Sequence, residues 1–223
     1  MSDALPRVLV TDFDGTMTKT DFYTLVVQHL LPADTPDYWI EYRAGHITHF
    51  EALRRYFAAI QADEATVLKL VKSMEIDPHV AAAIAELRNS NWKVVIASAG
   101  CRWYIDRLLA AAGVHVEIHA NPGHFESGRG LLMEMPSDSP FVSLTLGIDK
   151  SAVVRHYLAI GGEVAFAGDG FPDYEAACLV PETKRFARGG LAGALTQSGH
   201  VFRPYNTWSD IAHELATEAR NAS

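Results

Sequence analysis

The sequence predicts an α/β fold in which a parallel sheet has helices on both faces and a small all-helical cap is inserted after the first strand. Short apolar, β-branched runs alternate along the chain with segments of helical periodicity, which is the pattern of βαβ units. Three of these runs end in polar turns that contain glycine. A block of about 40 residues after the first run carries only helical patterning.

The first strand is predicted at residues 8–10, where Val-Leu-Val is an apolar run typical of a buried strand. Asp12 and Asp14 follow where that strand should end, with Gly15 to turn the chain and a hydroxyl at Thr16. Two carboxylates one residue apart at a strand end make this turn the first candidate for a functional site.

A helical cap is predicted next. A helix-compatible segment runs from about Asp21 to Leu31, and no strand-like run interrupts residues 32–73. Apolar residues recur there at helical spacing: Phe50, Leu53, Phe57 and Ile60, then Val67, Leu70, Val71 and Met74. We therefore assign residues 19–76 to a cap domain, and residues 1–18 together with 77–223 to the catalytic core.

The remaining elements continue the alternation of helices and strands. Before residue 121 they are a helix after Asp77-Pro78, a strand over 93–97 ending at Ser98-Ala99-Gly100, a helix through 105–112 and a strand over 114–120. After residue 143 they are a helix over 150–160 capped by Asp149, a strand over 163–167 closed by Gly168-Asp169-Gly170 and a short helix after Pro172. The chain ends with a strand around 185–187, a helix after Gly190, an extended piece at 201–202 and a last helix after Thr207. The segment 121–143, rich in Gly, Pro and Ser, is predicted to be irregular or hairpin-like and partly mobile. This order predicts a Rossmann-like sheet, in which ligands bind beyond the carboxyl ends of the strands.

Composition narrows the class of protein. The chain has 223 residues, 48% of them hydrophobic, and a net charge of -8 with scattered basic residues, which argues against nucleic-acid and membrane partners. No apolar run approaches the roughly 20 residues of a membrane span. Cys101 and Cys178 lack metal-type spacing and are predicted to be reduced thiols, which fits a cytoplasmic protein.

Three of the predicted strand ends should meet at one edge of the sheet. Four carboxylates, Asp12, Asp14, Asp169 and Asp173, would then crowd a small volume, and their repulsion predicts a divalent cation. An all-oxygen ligand set suits Mg²⁺. One carboxylate could then act as a nucleophile while another carries a proton.

The phosphate-binding candidates are Ser98 with the backbone amides of Ala99 and Gly100, and Lys150 as a cation for developing charge. Each motif alone has a simpler interpretation: Asp-x-Asp as a solvated turn, Ser98 as a strand end, Lys150 as an exposed first-turn lysine and Gly168-Asp169-Gly170 as a β-turn. Their order along the chain, each after an apolar run or at a helix start, favours the functional interpretation.

These motifs resemble those of the haloacid dehalogenase-like phosphohydrolases over residues 8 to about 178. The resemblance implies that Asp12 is the nucleophile that forms an aspartyl-phosphate and that Asp14 is the general acid and base. It further implies that Thr16 and Ser98 orient the phosphoryl group, that Lys150 stabilises it, and that Mg²⁺ is held by Asp12, the Asp14 carbonyl and Asp169 with Asp173 in support.

The cap position is similar to that of the phosphoserine-phosphatase-like branch. A weaker resemblance, carried by the segments 42–53 and 98–105, is to the methionine-salvage phosphatases that act on 2-hydroxy-3-keto-5-methylthiopentenyl-1-phosphate, which usually have glycine where this chain has Ala99.

Two arginines are candidates for reading the rest of the substrate: Arg43 in the cap and Arg102 just after the Ser98 turn, with a solvated surface position as the alternative for each. The aromatic residues Trp39, Tyr42, Phe50 and Phe57 are predicted to pack the core of the cap. His46 and His49 have i,i+3 spacing, but a metal site there is not favoured.

The sequence thus predicts a Mg²⁺-dependent phosphomonoester hydrolase that acts on a small phosphorylated metabolite as a monomer or homodimer. Two alternatives stay open at this point. One is a phosphotransferase or phosphomutase on the same scaffold, and the other is a phospho-accepting or binding module without turnover.

Overall fold

The structure, a computed structural model, describes residues 6–221. The strands in that range are β1 (Arg7–Thr11), β2 (Trp92–Cys101), β3 (Glu117–Asn121), β4 (Gly123–Glu126), β5 (Gly130–Met133), β6 (Val142–Ser143), β7 (Gly147–Ile148), β8 (Glu163–Gly168), β9 (Arg185–Ala187) and β10 (Arg203–Pro204). The helices are α1 (Phe22–His29), α2 (Tyr38–Arg43), α3 (His49–Ala58), α4 (Glu64–Lys72), α5 (Val80–Asn89), α6 (Arg102–Ala111), α7 (Lys150–Ala159), α8 (Tyr174–Cys178), α9 (Gly189–Gln197) and α10 (Trp208–Asn221).

Six strands form the predicted parallel sheet, in the order β10-β9-β8-β1-β2-β3. The strand order reverses between β1 and β8, whose registers place Thr11 opposite Ala167, while Thr11 also lies opposite Ile96 of β2. A crevice forms at such a reversal because the connections leave the two strands in opposite directions. The turns that follow β1 and β8 therefore meet at this point.

The sheet has a hydrophobic cluster on each face, because successive side chains of a strand point to opposite sides. Leu9 packs in the cluster that faces α5 and α10, while Val8 and Val10 pack with Phe166 in the cluster that contains α7. All of these side chains are fully buried. The Rossmann-like arrangement with helices on both faces is confirmed.

Helices α1 to α4 lie between β1 and α5, as the helical patterning predicts. Phe57 of α3 packs on Phe22 of α1, with ring centroids 5.4 Å apart, and both belong to the larger cluster that also covers one face of the sheet. The division into a cap at 19–76 and a core at 1–18 and 77–223 stays a prediction.

The segment 121–143 contains a hairpin, one of the two forms that the sequence predicts for it. Strands β4 and β5 form an antiparallel hairpin, and β6 pairs with β7. The hairpin packs on the cap helices: a Cβ added at Gly130 would lie 2.5 Å from the Phe57 carbonyl oxygen.

Some element boundaries differ from the prediction. Strand β2 continues through Ser98-Ala99-Gly100 to Cys101 instead of ending at 97. Helix α5 begins at Val80, and the Asp77 carboxylate accepts hydrogen bonds from the amides of His79 and Ser209 at 2.8 and 2.7 Å. Strand β3 begins at Glu117 rather than 114, and the last strand lies at 203–204 rather than at 201–202.

Helix α7 starts directly after Asp149, whose carboxylate accepts a hydrogen bond from the Ala152 amide at 2.9 Å, as the capping pattern predicts. Within residues 6–221, no helix is long and apolar enough to cross a membrane.

Candidate active site

Three carboxylates converge where β1 and β8 end. One oxygen atom from each of Asp12, Asp169 and Asp173 lies within 4.8 Å of the others. Asp12 follows β1 directly, Asp169 follows β8, and Asp173 lies in a short 3-10 helix at Phe171–Asp173. Carboxylate oxygens at this separation are hard ligands of the kind Mg²⁺ prefers, so the residues present fit that ion.

Lys150 lies in the same cluster and is almost fully buried. Its Nζ atom is 2.8 Å from Asp12 Oδ2 and 2.6 Å from Asp173 Oδ1. Burial acts to lower the pKa of this ammonium group, but the two carboxylates outweigh it and raise the pKa above its ordinary value. Lys150 therefore stays charged and pins Asp12 beside Asp173.

Asp173 organises the turn after β8. Its Oδ2 atom accepts hydrogen bonds from the amides of Asp169 at 3.1 Å and Gly170 at 2.9 Å, while Oδ1 faces Lys150. Thr16 orients the other side of the turn by donating its hydroxyl to Asp169 Oδ1 at 2.8 Å. Thr16 is itself 1% exposed, and its hydroxyl binds a carboxylate in this structure; its contact with a phosphoryl group stays a prediction.

Asp12 and Asp14 lie in different surroundings although only one residue separates them. Asp12 accepts a hydrogen bond from the Phe13 amide at 2.7 Å and faces Lys150. Burial raises its pKa well above the ordinary value, Lys150 opposes this, and nearby carboxylates add to it. A cation beside Asp12 would remove the repulsion and favour its ionised form.

Asp14 is directed away from the cluster. Its Oδ1 atom accepts the Phe22 amide at 3.1 Å and its Oδ2 atom accepts the Tyr104 hydroxyl at 2.7 Å. Burial, helped by the charge of Asp21, raises the pKa of Asp14 to about 7. A carboxyl group with that pKa can both give and take a proton near neutrality.

Two glycines allow these close approaches. Gly15 has φ +66°, and a Cβ there would lie 2.3 Å from Asp169 Oδ2. A Cβ at Gly100 would lie 1.9 Å from the Tyr104 hydroxyl and 2.7 Å from Asp14 Oδ2. A side chain at either position would therefore displace a neighbouring group, and at Gly15 it would also meet a left-handed backbone that favours glycine.

Ser98, Ala99 and Gly100 line the cavity beside the aspartates, as predicted. The Gly100 amide, however, donates to Ser98 Oγ at 3.0 Å within the strand end.

The structure does not bring the two predicted arginines to this cavity. Arg43 lies 3.6 Å from Asp37 on the surface of α2, and Arg102 pairs with Asp106 one turn along α6 at 3.1 Å. Both side chains are more than half exposed. A nearby carboxylate on the same or an adjacent turn directs each of them outward.

Cap residues that the sequence reasoning assigned elsewhere form the opposite wall. The cavity has a volume of about 130 Å³, and His49, Leu53 and Phe57 line it from α3, with Tyr23 and Trp39 from α1 and α2. The spacing 49-53-57 is a single helical stripe, a signal that could have been found in the sequence. Trp39 and Phe57 therefore have a second role beyond packing the cap.

Arg188, which no sequence motif indicates, supports the turn after β1. Its guanidinium donates hydrogen bonds to the carbonyl oxygens of Gly15, of Thr16 at 3.3 Å and of Thr18 at 2.8 Å, and to that of Asn206 at 2.8 Å. The turn that carries both aspartates is thus fixed to the region around β10.

The chain is similar to a family of hydrolases and to individual phosphatases. A model of the haloacid dehalogenase-like hydrolases matches residues 9–177. A 2-hydroxy-3-keto-5-methylthiopentenyl-1-phosphate phosphatase from Bacillus pumilus is 22% identical over 208 residues, covering 92% of this chain and 88% of the relative. A protein with the same name from Microcystis aeruginosa is also 22% identical, over 95% of this chain and 98% of its own length.

Solved structures share the fold. The phosphoserine phosphatase of T. onnurineus superimposes with a TM-score of 0.62 at 17% identity, covering 97% of this chain and 98% of that protein. A HAD family hydrolase from Salmonella enterica serovar Typhi gives 0.65 at 15% identity, covering 91% of this chain and 68% of its own.

Fold and site together define a hydrolase with paired aspartates at the end of the first strand of a parallel sheet. The chain belongs to the haloacid dehalogenase-like hydrolase family. With phosphatases as its relatives, it is a phosphatase-type member of that family.

Proposed function

We propose that the protein is a Mg²⁺-dependent phosphomonoester hydrolase that works through an aspartyl-phosphate on Asp12. The observation that carries this proposal is the division between the two aspartates. Asp12 lies 2.8 Å from Lys150, whereas Asp14 is held apart by Tyr104 at 2.7 Å. One carboxylate is thereby kept for attack and the other for proton transfer.

In the first step, an Asp12 carboxylate oxygen forms a bond to phosphorus while the bond from phosphorus to the ester oxygen breaks. Asp14 gives its proton to the departing oxygen, which leaves as an alcohol. In the second step, Asp14 takes a proton from water, and the resulting hydroxide displaces Asp12 from phosphorus to release inorganic phosphate. Lys150 and Ser98 would bind the phosphoryl oxygens.

Asp12, Asp169, Asp173 and the Asp14 carbonyl are the groups proposed to hold Mg²⁺. When bound, the ion would supply positive charge to the phosphoryl group as negative charge develops on its oxygens. Asp173 is already occupied by Lys150 and two amides, so we assign it a supporting position around the metal site.

We further propose that the substrate is a small phosphorylated metabolite, converted in the cytoplasm by a monomer or homodimer. The names of the relatives, which specify 2-hydroxy-3-keto-5-methylthiopentenyl-1-phosphate, support a small substrate. The cavity volume of about 130 Å³ supports it as well.

The central test is an Asp12→Asn variant assayed with p-nitrophenyl phosphate and Mg²⁺. Turnover should be lost, and the wild-type protein, quenched in acid during turnover, should carry a phosphoryl group on the peptide that contains Asp12. Asp63→Asn is the matched control, because Asp63 caps α4 far along the cap with its side chain on the Thr66 amide. Full activity of the Asp12 variant would refute the proposal.

Metal dependence is tested on the same protein. Chelation should abolish activity, and Mg²⁺ should restore it. Activity that survives complete chelation would remove Mg²⁺ from the proposal but leave the aspartyl-phosphate to be judged by the trapping experiment.

A further inference from the structure

The cavity wall that faces away from the aspartate cluster is aromatic and apolar. Tyr23, Trp39, Leu53 and Phe57 contribute to it together with His49. In a phosphomonoester bound with its phosphoryl group at Asp12, this wall would contact the alcohol part of the molecule. Its chemistry therefore bears on which alcohol is accepted.

Positive charge is scarce in this cavity. Among its lining residues in the described range 6–221, Lys150 is the one cationic side chain. Lys150 is 2% exposed and lies between Asp12 and Asp173 at 2.8 and 2.6 Å, so its charge is directed to the phosphoryl end. An anionic group on the alcohol part would find no cationic partner there.

The arginines of α3 lie outside the cavity wall and are occupied. Arg54 binds Glu51 at 2.7 Å, and Arg55 binds Glu51 at 2.8 Å and Glu41 at 2.9 Å. Meanwhile, the carboxylate of Asp21 does line the cavity. A negatively charged alcohol would thus meet a like charge and no accessible counter-charge.

The sum of charges in the site with a divalent cation bound supports the same conclusion, that an anionic alcohol is disfavoured. The three carboxylates of Asp12, Asp169 and Asp173 would be balanced by Lys150 and a bound divalent cation. Asp14 and Asp21 also line the cavity and are not part of this balanced set. The cavity lining therefore has no surplus of positive charge.

His49 adds a polar ring to this wall. Its Nδ1 atom is buried without a hydrogen-bond partner, and Trp39 packs on the ring with centroids 5.1 Å apart. Burial, reinforced by the charge of Lys150, lowers the pKa of His49 to about 4, so the ring is neutral. Because Nδ1 has no acceptor beside it, the proton is best placed on Nε2, which leaves the ring one N–H donor.

We propose that this cavity selects phosphomonoesters whose leaving alcohol carries no negative charge, and that His49 recognises an oxygen substituent on that alcohol. This inference rests on the proposed phosphatase function and specifies its substrate class. It predicts that phosphoserine, the substrate named by several structural neighbours, is a poor substrate here, because its carboxylate has no cationic partner in this wall.

The test compares two molecules that differ in one group: sn-glycerol 3-phosphate, with a neutral alcohol, and 3-phosphoglycerate, with a carboxylate. Each competes with p-nitrophenyl phosphate, so an inhibition constant is obtained even when its own turnover is slow. We expect the neutral ester to bind at least about tenfold more tightly. Equal or reversed inhibition constants would overturn the inference.

Two arginine variants sharpen the result. His49→Arg places a counter-charge in the wall and should shift the preference at least about tenfold toward 3-phosphoglycerate. Ile40→Arg is the control, because Ile40 is 61% exposed on α2 and outside the cavity, and its ratio should remain that of the wild type. If both variants behave alike, the discrimination does not arise in this cavity.

The role of His49 is read separately. His49→Phe should raise the inhibition constant of sn-glycerol 3-phosphate while leaving that of propyl phosphate, which lacks the oxygen substituents, unchanged. His49→Gln should restore part of the difference, because its amide keeps a donor. An identical change for both esters in His49→Phe would contradict recognition of an oxygen substituent.

Failure of this inference is distinguishable from failure of the proposed function. If p-nitrophenyl phosphate is hydrolysed with a trapped aspartyl-phosphate but the two esters bind equally, only the substrate class is wrong. If p-nitrophenyl phosphate is not hydrolysed, the proposed function fails, and calorimetric binding of the same two esters with Mg²⁺ still decides the charge preference of the cavity.

Discussion

Gly100→Ala should disturb the general acid Asp14, because the new Cβ would displace the Tyr104 hydroxyl and also lie 2.7 Å from Asp14 Oδ2. The new Cβ would lie 1.9 Å from the Tyr104 hydroxyl, which has to move by roughly 1.5 Å to reach an ordinary contact of 3.4 Å. That displacement breaks its 2.7 Å hydrogen bond to Asp14. A hydrogen bond to a charged group contributes about 1.5–3 kcal/mol, which corresponds to about a ten- to hundredfold loss of rate if it acts in the transition state.

The assay follows from the role of Asp14. With an alkyl phosphate, whose alkoxide needs a proton to depart, kcat should fall by about ten- to hundredfold. With p-nitrophenyl phosphate, whose leaving group departs without a proton, the loss should stay below about threefold. Unequal losses for the two substrates are the specific signature of a disturbed acid.

Gly193→Ala serves as the matched control. Gly193 lies in α9 with no atom within 4 Å of an added Cβ, so this variant should keep both activities and gain up to about 1 kcal/mol of stability from better helix propensity. If Gly100→Ala retains wild-type kcat on the alkyl phosphate, or loses equally on both substrates, the reasoning that Tyr104 positions Asp14 is refuted.

Three further predictions concern stability and charge. His49 has a pKa of about 4 in the folded protein against 6.5 unfolded, so the unfolded chain binds more protons between these values, and lowering the pH from 6.5 to 4 should cost up to about 3 kcal/mol of folding stability. Thr11→Val should lose about 1–3 kcal/mol in urea unfolding, because the Trp208 indole N–H donates to Thr11 Oγ1 at 3.0 Å in the core. Lys150→Met should lower kcat by at least about a hundredfold in steady-state assays, because it removes the cation between two buried carboxylates.

Each of these three predictions has a control variant. Between pH 6.5 and pH 4, His49→Phe should lose less folding stability than the wild type, because it lacks the titrating ring. The same pH dependence of stability in the variant and the wild type would contradict the assignment to His49. Thr11→Ser keeps the hydroxyl and should be clearly more stable than Thr11→Val. Lys184→Met removes a lysine paired with Glu163 and Glu218 away from the cluster, and comparable loss of kcat there would argue against a specific role of Lys150.

Features of the site that depend on local sequence were predictable. Asp12 and Asp169 each follow an apolar run directly, and the parallel sheet brings such positions to one edge whatever lies between them. Lys150 was predictable for a similar reason, since Asp149 caps the helix that Lys150 begins.

Features set by distant or competing partners were not predictable. Tyr104 meets Asp14 across 90 residues of sequence, and nothing in its own surroundings distinguishes it from a core aromatic residue. The charges of Arg43 and Arg102 suggest contact with the substrate, but each side chain binds a neighbouring carboxylate on the surface. The periodicity of α3 predicts a face that packs in the core, but His49, Leu53 and Phe57 on that helix line the cavity.

The hydrogen bonds of Arg188 connect the segment after β9 to the turn that carries the two aspartates. The family match ends at residue 177, yet one guanidinium from residue 188 holds three carbonyl oxygens of the turn that presents the two aspartates. The Leu191 amide likewise holds the carbonyl oxygen of Asp169 at 2.9 Å. Residues that follow the family match therefore hold the turn with Asp12 and Asp14 in place. A fragment limited to residues 9–177 would contain every proposed reacting group but would lack these contacts.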